Sequence, residues 1–172
     1  MFKSIQWKVL TVFLLLVISV MLAVGTFLLG NISEYYHTEF KTQMEETVFT
    51  EELTAQLSAA SRAENAEAAM RTVLENYAGR IGVDSYRNFY ILSGRDAGVL
   101  YATDGAASVT ASQNILAAMA GEVGNVIDRR AEKMDYAYPI EEGGLVRHIV
   151  YVSDSKEELY GIMESIFKII LY

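Results

Sequence analysis

SYRNFYILS, residues Ser85–Ser93, is the stretch on which the fold turns. Aromatic and β-branched side chains dominate it and alternate with a period of two, which reads as a strand. Downstream, Gly94-Arg95-Asp96-Ala97-Gly98 reads as a turn and Val99–Thr103 as a second strand, so the two form a hairpin. Ser112–Ala120 reads as a short helix with Ser112 as its cap and Gly121 as its stop. Val123–Arg130, Met134–Ile140 and Leu145–Ser153 read as three further strands, the last two joined by a turn at Glu141-Glu142-Gly143-Gly144. Pro139 cannot donate to a ladder and belongs at a strand end or a sheet edge. The expectation is an α+β domain, with a five-stranded antiparallel sheet over residues 83–154.

Upstream of Ser85 the period is helical. Residues 31–82 are rich in Ala, Glu, Gln, Leu and Met and contain no proline. Met44, Val48, Phe49, Leu53 and Leu57 recur at helical spacing, followed by Ala63, Ala66, Met70, Val73, Leu74 and Tyr77. Thr50, with Glu51 and Glu52 after it, marks a helix restart, and Gly79 and Gly82 mark the end. Further upstream, Val9–Gly30 (VLTVFLLLVISVMLAVGTFLLG) carries no charge. At about 1.5 Å per residue it reaches roughly 33 Å, close to the ~30 Å thickness of bilayer hydrocarbon. Trp7 lies at one edge and Tyr35-Tyr36 at the other, as in interfacial aromatic belts. A cleaved signal peptide would be apolar over about 7–15 residues, and this run continues past the small residues Ala23-Val24-Gly25 through Phe27, Leu28 and Leu29. A soluble core helix would have a polar face, which Val9–Gly30 lacks.

Charge is divided in the same way. The chain has 172 residues and a formal charge of −8. Residues 1–33 carry only Lys3 and Lys8, and all 22 acidic residues lie between Glu34 and Glu164. The positive-inside rule therefore predicts a cell-membrane protein with a cytoplasmic tip (1–8), a transmembrane helix (9–30) and residues 31–165 extracytoplasmic. An acidic body disfavours nucleic acid as a partner. The absence of cysteine excludes disulfides, Cys-ligated metals and thiol catalysis. His37 and His148 are too far apart in sequence to suggest a metal site. No G-x-S-x-G, Walker A or H-E-x-x-H motif occurs, so no catalytic set, metal or cofactor is expected in this stretch. Glu45-Glu46, Glu51-Glu52 and Glu141-Glu142 read as solvated neighbours.

Residues 155–172 read as a helix. Ser155-Lys156-Glu157-Glu158 fits the S-x-x-E capping box. Leu159, Ile162, Ile166 and Ile169 form an a/d seam suited to packing within the chain or across a parallel homodimer. The apolar run Phe167–Tyr172, ending in mid-pattern without a C-cap, is expected to begin a second transmembrane helix.

The aromatic density of the strands points to a ligand site. Tyr86, Tyr90, Tyr101, Tyr136, Tyr138 and Tyr151, with Arg129 and Arg147 on neighbouring strands, would suit a small carboxylate-bearing ligand if they met on a concave sheet face. The ordinary alternative is that these tyrosines fill the core or a dimer face.

RNFYILSGRDAGVLYATD, SQNILAAMAGEVG, MDYAYPI and HIVYVSDSKEEL, behind a membrane helix and a long outer helix, resemble the N-terminal sensor region of Gram-positive two-component sensor histidine kinases. The resemblance implies a PAS-like outer domain of the Cache type, working as signal input. It also implies a second membrane helix, a HAMP linker, a phosphorylated-histidine helix, an ATP-binding domain and a cytoplasmic response regulator as partner. Such outer domains also occur on chemoreceptors and diguanylate cyclases. His37 and His148 both fall in the outer region, so neither is expected to be the phosphoacceptor. The reading from a different class is a singly anchored outer binding protein that relays nothing.

Overall fold

A computed structural model describes residues 3–171. The chain divides into two compact units. One comprises residues 1–36 with 158–172, and the other is His37–Glu157.

The first unit contains most of helix α1 (Lys3–Thr42), whose last residues enter the second unit. Forty residues at 1.5 Å each make a rod of about 60 Å. Its apolar part is hydrophobic on every side, and Val12, Phe13, Leu15, Leu22 and Phe27 are each more than half exposed. Hydrocarbon is the solvent that suits such a surface, and the helix is long and apolar enough to cross a membrane.

In the second unit a π-helical turn, Gln43–Val48, follows α1 and closes with Phe49 N–H donating to Met44 O at 2.8 Å. Then come α2 (Glu51–Ala60), α3 (Ala66–Asn76) and α4 (Ala78–Ile81). Thr50 stands extended before α2 as expected, although its side chain makes no capping bond. Asn65 caps α3 through Ala68 N–H at 3.2 Å. Gly82, with φ +75°, ends α4, a left-handed position that glycine reaches at little cost. Strands β1 (Arg87–Ser93), β2 (Val99–Ala102), β3 (Met134–Glu142) and β4 (Leu145–Asp154) form an antiparallel sheet in the order β2-β1-β4-β3, with α5 (Gln113–Met119) between β2 and β3 in sequence. Gly143 and Gly144, both at positive φ, make the two-residue turn between β3 and β4. Pro139 lies on β3, an edge strand, as its missing N–H requires.

The sheet has four strands, not five. Val123–Arg130 contributes only one bridge, in which Gly124 and Ala137 exchange backbone hydrogen bonds of 2.8 and 2.9 Å. Two residues on, the side chain of Asn114 takes over. Its Oδ1 accepts from Val126 N–H at 2.9 Å, and its Nδ2 donates to Val126 O at 3.0 Å and to Asp135 O at 3.1 Å. A carboxamide thus stands where Val126 and Asp135 would pair as a ladder. The approach is so close that a Cβ on Gly124 would clash with the Asn114 backbone carbonyl.

The last helix, α6 (Glu157–Leu171), has 15 residues, about 22 Å, and among the described residues one helix alone, α1, is long and apolar enough to span. A second transmembrane helix is therefore not shown. The capping box does not form at Ser155: its buried Oγ has no hydrogen-bond partner. Lys156 instead turns the chain at φ +60°. The side chains of Glu158, Leu159, Ile166 and Ile169 lie outside the described residues.

Candidate functional site

Strand alternation assigns every sheet residue to one of two faces. Phe89, Ile91, Tyr136, Ile140, Val150 and Val152 face the helices and pack with Met44, Val48, Leu53, Leu57, Met70 and Leu74 in one continuous core. The opposite face is built in rows. The register aligns Ala102, Tyr90, Tyr151, Ala137 and Gly124 across the sheet. On one side of that row lies an apolar row, Leu92, Ile149 and Pro139, and on the other a polar row, Asn88, Ser153 and Asp135. Helix α5 covers the apolar side through Ile115 and Ala118. Over the aromatic and polar rows, the segments 104–114 and 126–135 leave a cavity of about 550 Å³, the size of a small-molecule site.

The floor of this cavity is buried and polar. Tyr90 and Tyr151 are 3% and 6% exposed, with ring centroids 5.5 Å apart. The Tyr90 hydroxyl donates to Asp104 Oδ2 at 2.6 Å. Burial, then the hydrogen bond and charge of Asp104, push its phenol well above the ordinary range. Burial does the same to Tyr151, reinforced by the nearby Asp135 carboxylate. Asp135 Oδ1 accepts from Asn114 Nδ2 at 2.8 Å, whereas its buried Oδ2 meets no protein donor in hydrogen-bonding geometry. Among the described residues, four carboxylates line the cavity (Asp104, Asp128, Glu132 and Asp135) against one cationic side chain, Lys133.

The residues singled out from the sequence are dispersed. Of them, Tyr90 and Tyr151 line the cavity. Tyr136 and Tyr138 share a face, as alternation requires, but it is the helix face, where both stack on Phe49 at 5.1 and 5.0 Å. Tyr101 lies under the Arg71 guanidinium, 4.5 Å from the ring centroid, with Glu75 Oε1 at 3.5 Å from its hydroxyl. Tyr86 precedes β1, half-exposed, in a turn closed by Asp84 Oδ1. Arg147 is exposed and pairs with Glu142 at 3.0 Å. Arg129 sits in an exposed turn, where its charge acts on His37. No arginine lines the cavity, so an arginine-and-tyrosine carboxylate site is not assembled. Tyr151 is the cross-strand neighbour of Tyr90, while Ser153 and Asp135, which sequence reasoning missed, complete the row that starts at Asn88. Their parity was legible, but the register that aligns them was not.

Two buried side chains tie the cavity wall and the end of α1 to the start of α6. Lys156, 2% exposed, donates from Nζ to Ala131 O at 2.6 Å, and Ala131 lines the cavity. Burial lowers its pKa, while Asp128 and Asp135 oppose the shift. Its own N–H is held by Asp154 Oδ1 at 3.0 Å. Asp154 Oδ2 accepts from Arg87 Nε at 2.9 Å. Arg87 Nη1 donates to Gln43 Oε1 in the π-helical turn at 2.8 Å and to Ile81 O at 3.0 Å, and its guanidinium lies 5.1 Å from the Phe40 ring. Asp154 therefore holds both the side chain that reaches the α1 end and the backbone that begins α6. His37 is buried beside this region. Burial first, then the Lys156 and Arg129 charges, lower its pKa, and Asp128 partly offsets them.

Among known proteins, no family model matches this chain and no curated protein sequence matches it.

Proposed function

We propose that the chain is the signal-input region of a membrane-bound sensor, with α1 as its anchor, residues 31–165 outside the cell, and the cavity on the second unit as the place where a small molecule is read. The observation that carries this reading is the Lys156 Nζ bond to Ala131 O at 2.6 Å, which fastens the cavity wall to the residue from which α6 starts. Filling the cavity displaces or stiffens residues 126–135, and the tie transmits the change to α6. Asp154 and Arg87 carry it on to Gln43 and Phe40. Interfaces of this kind switch by shifts of about 1–2 Å, which suits a parallel pair of such chains driving a kinase and its response regulator. A singly anchored binding protein would need the anchor and the cavity but no such tie.

Two measurements test the reading. The chain has no cysteine, so single-cysteine variants report topology cleanly. Leu145→Cys, at the exposed tip of the last hairpin, is expected to react with a membrane-impermeant maleimide on intact cells, and Lys8→Cys only after lysis. The reverse pattern overturns the topology. Lys156→Met in the full chain is expected to raise amide exchange both in residues 128–133 and in the first turn of α6. A rise confined to one of them removes the coupling and leaves a simple binding protein.

A further inference from the structure

We infer that the cavity ligand is a small organic ammonium, a primary amine carrying a short apolar or aromatic body. The inference rests on the cavity being the sensing site and names the chemistry it selects. Three observations converge. The polar row ends in the Asp135 carboxylate, which lines the cavity and is held through Oδ1 by Asn114. An ammonium N–H donated to a carboxylate on the wall makes a short, charge-assisted hydrogen bond, about twice as strong as a neutral one. Beside that row, Tyr90 and Tyr151 present two aromatic rings, a surface that attracts both a cation and an apolar body. The charge balance of the walls, four carboxylates to one lysine, attracts cations and repels carboxylates.

The same geometry selects among cations. Among the described residues no three carboxylate or imidazole groups converge closely enough to hold a metal ion. A hard divalent cation needs about six or more oxygens around one point. Carboxylates spread around a cavity of about 550 Å³, with aromatic rings on its floor, suit instead a cation that is larger and partly apolar. The rows also set its orientation, with the nitrogen at Asp135 and Ser153 and the carbon body over Tyr90 and Tyr151 toward Leu92 and Ile149. Lys156 attracts Asp135 electrostatically but spends its own hydrogen bond on Ala131, so a ligand ammonium near Asp135 also repels the side chain that fastens α6. The ligand class and the coupling are thus joined at one carboxylate.

The test uses the full chain in lipid nanodiscs and three probes of one shape: phenethylammonium, 2-phenylethanol and phenylacetate, with calcium as a fourth. Calorimetry and ligand-observed NMR are expected to show phenethylammonium binding at least tenfold tighter than 2-phenylethanol, and no saturable binding of phenylacetate or displacement by calcium. Asp135→Asn is expected to weaken phenethylammonium at least tenfold while leaving 2-phenylethanol within twofold. Asp104→Asn, at the exposed rim, gives a smaller loss of a few-fold and serves if Asp135→Asn fails to fold. Glu122→Gln, outside the cavity, leaves all probes unchanged. Preferential binding of phenylacetate, competition by calcium, or failure of phenethylammonium to saturate at tens of millimolar overturns the ammonium assignment. None of these outcomes touches the cysteine-labelling or Lys156→Met results, so a failure of the ligand class is distinguishable from a failure of the sensor reading.

Discussion

The two faces of one sheet use the same residue type to opposite ends. On the helix face, Tyr136 and Tyr138 are stacked on Phe49 within a core that continues through Met44, Leu53 and Leu57. On the other, Tyr90 and Tyr151 form the floor of a cavity, because their row neighbours are Ala102, Ala137 and Gly124 and the covering segments bridge over them. The difference lies in what stands opposite. Long amphipathic helices supply large side chains to the first face, whereas one seven-residue helix and two loops supply the second. One face is closely packed and the other leaves a cavity. Substitutions of similar size should therefore act mainly on folding on the first face and mainly on binding on the second.

The largest contrast is expected at Phe49. Removing its ring takes away the partner of two tyrosines at a position 7% exposed, and a buried Phe→Ala costs about 3–5 kcal/mol. Phe49→Ala should lower the free energy of unfolding, measured by chemical denaturation, by that amount, whereas Leu116→Ala on α5, at 56% exposure, should change it by about 0.5 kcal/mol or less. Equal losses would dissolve the distinction between the two faces.

The next effect is expected at Arg87, which belongs to the helix side but reaches the β4 end. Arg87→Met leaves Asp154 without its ion partner and Gln43 and Ile81 without their donor. Breaking a mostly buried pair from one side costs about 3 kcal/mol, at the lower end of such losses because both partners keep some exposure. Double substitution with Asp154→Asn should recover part of it, and full additivity of the two losses in denaturation would show that the pair does not act as a unit.

A smaller effect is expected where the second face is joined to its cover. Gly124→Ala places a methyl against Asn114 O and should cost about 1–3 kcal/mol by overpacking. It should also weaken cavity ligands, since Asn114 positions Asp135. A stability loss without any loss in phenethylammonium binding would separate the strand edge from the site. Tyr90→Phe should remove about 1 kcal/mol or less, the net worth of its bond to Asp104.

Sequence periodicity carried the strand and helix assignments because both reflect local alternation. β1, β2, β3, β4 and α5 lie within a few residues of their expected bounds, and Leu53, Leu57, Met70 and Leu74 are buried as the helical pattern requires. What the pattern could not carry was the identity of each partner. Asn114 looks like an ordinary helix residue, yet its carboxamide replaces a ladder between Val126 and Asp135 and removes the fifth strand. Tyr136 and Tyr138 alternate as cleanly as Tyr90 and Ser153 neighbours do, and parity alone does not say which face the helices take. Arg129 and Arg147 were placed near the tyrosines by strand membership, but the first lies in a turn and the second pairs with Glu142. Register and covering segments, not composition, decide which tyrosines line the cavity.

The smallest expected effect comes from pH and distinguishes two places on the helix side, the α6 junction beside His37 and the β4 position of His148. His37 and His148 both have pKa values lowered in the folded protein, His37 by burial and then Lys156 and Arg129, His148 by burial and then Arg147. A group with a folded pKa below its unfolded value of about 6.5 binds its proton more readily in the unfolded chain. Stability is therefore full above that value and falls as the pH drops through it, continuing down to the folded pKa. Thermal midpoints in nanodiscs should be constant from pH 8 to about 7 and decline toward pH 5. His37→Gln, beside Lys156 and the α6 junction, should flatten part of that decline and also make amide exchange at the first turn of α6 less pH-dependent. His148→Gln, on β4 beside Arg147, should flatten the thermal curve while leaving α6 exchange as it is. If both variants alter α6 equally, proton uptake at His37 acts through global stability, and the junction has no local sensitivity of its own.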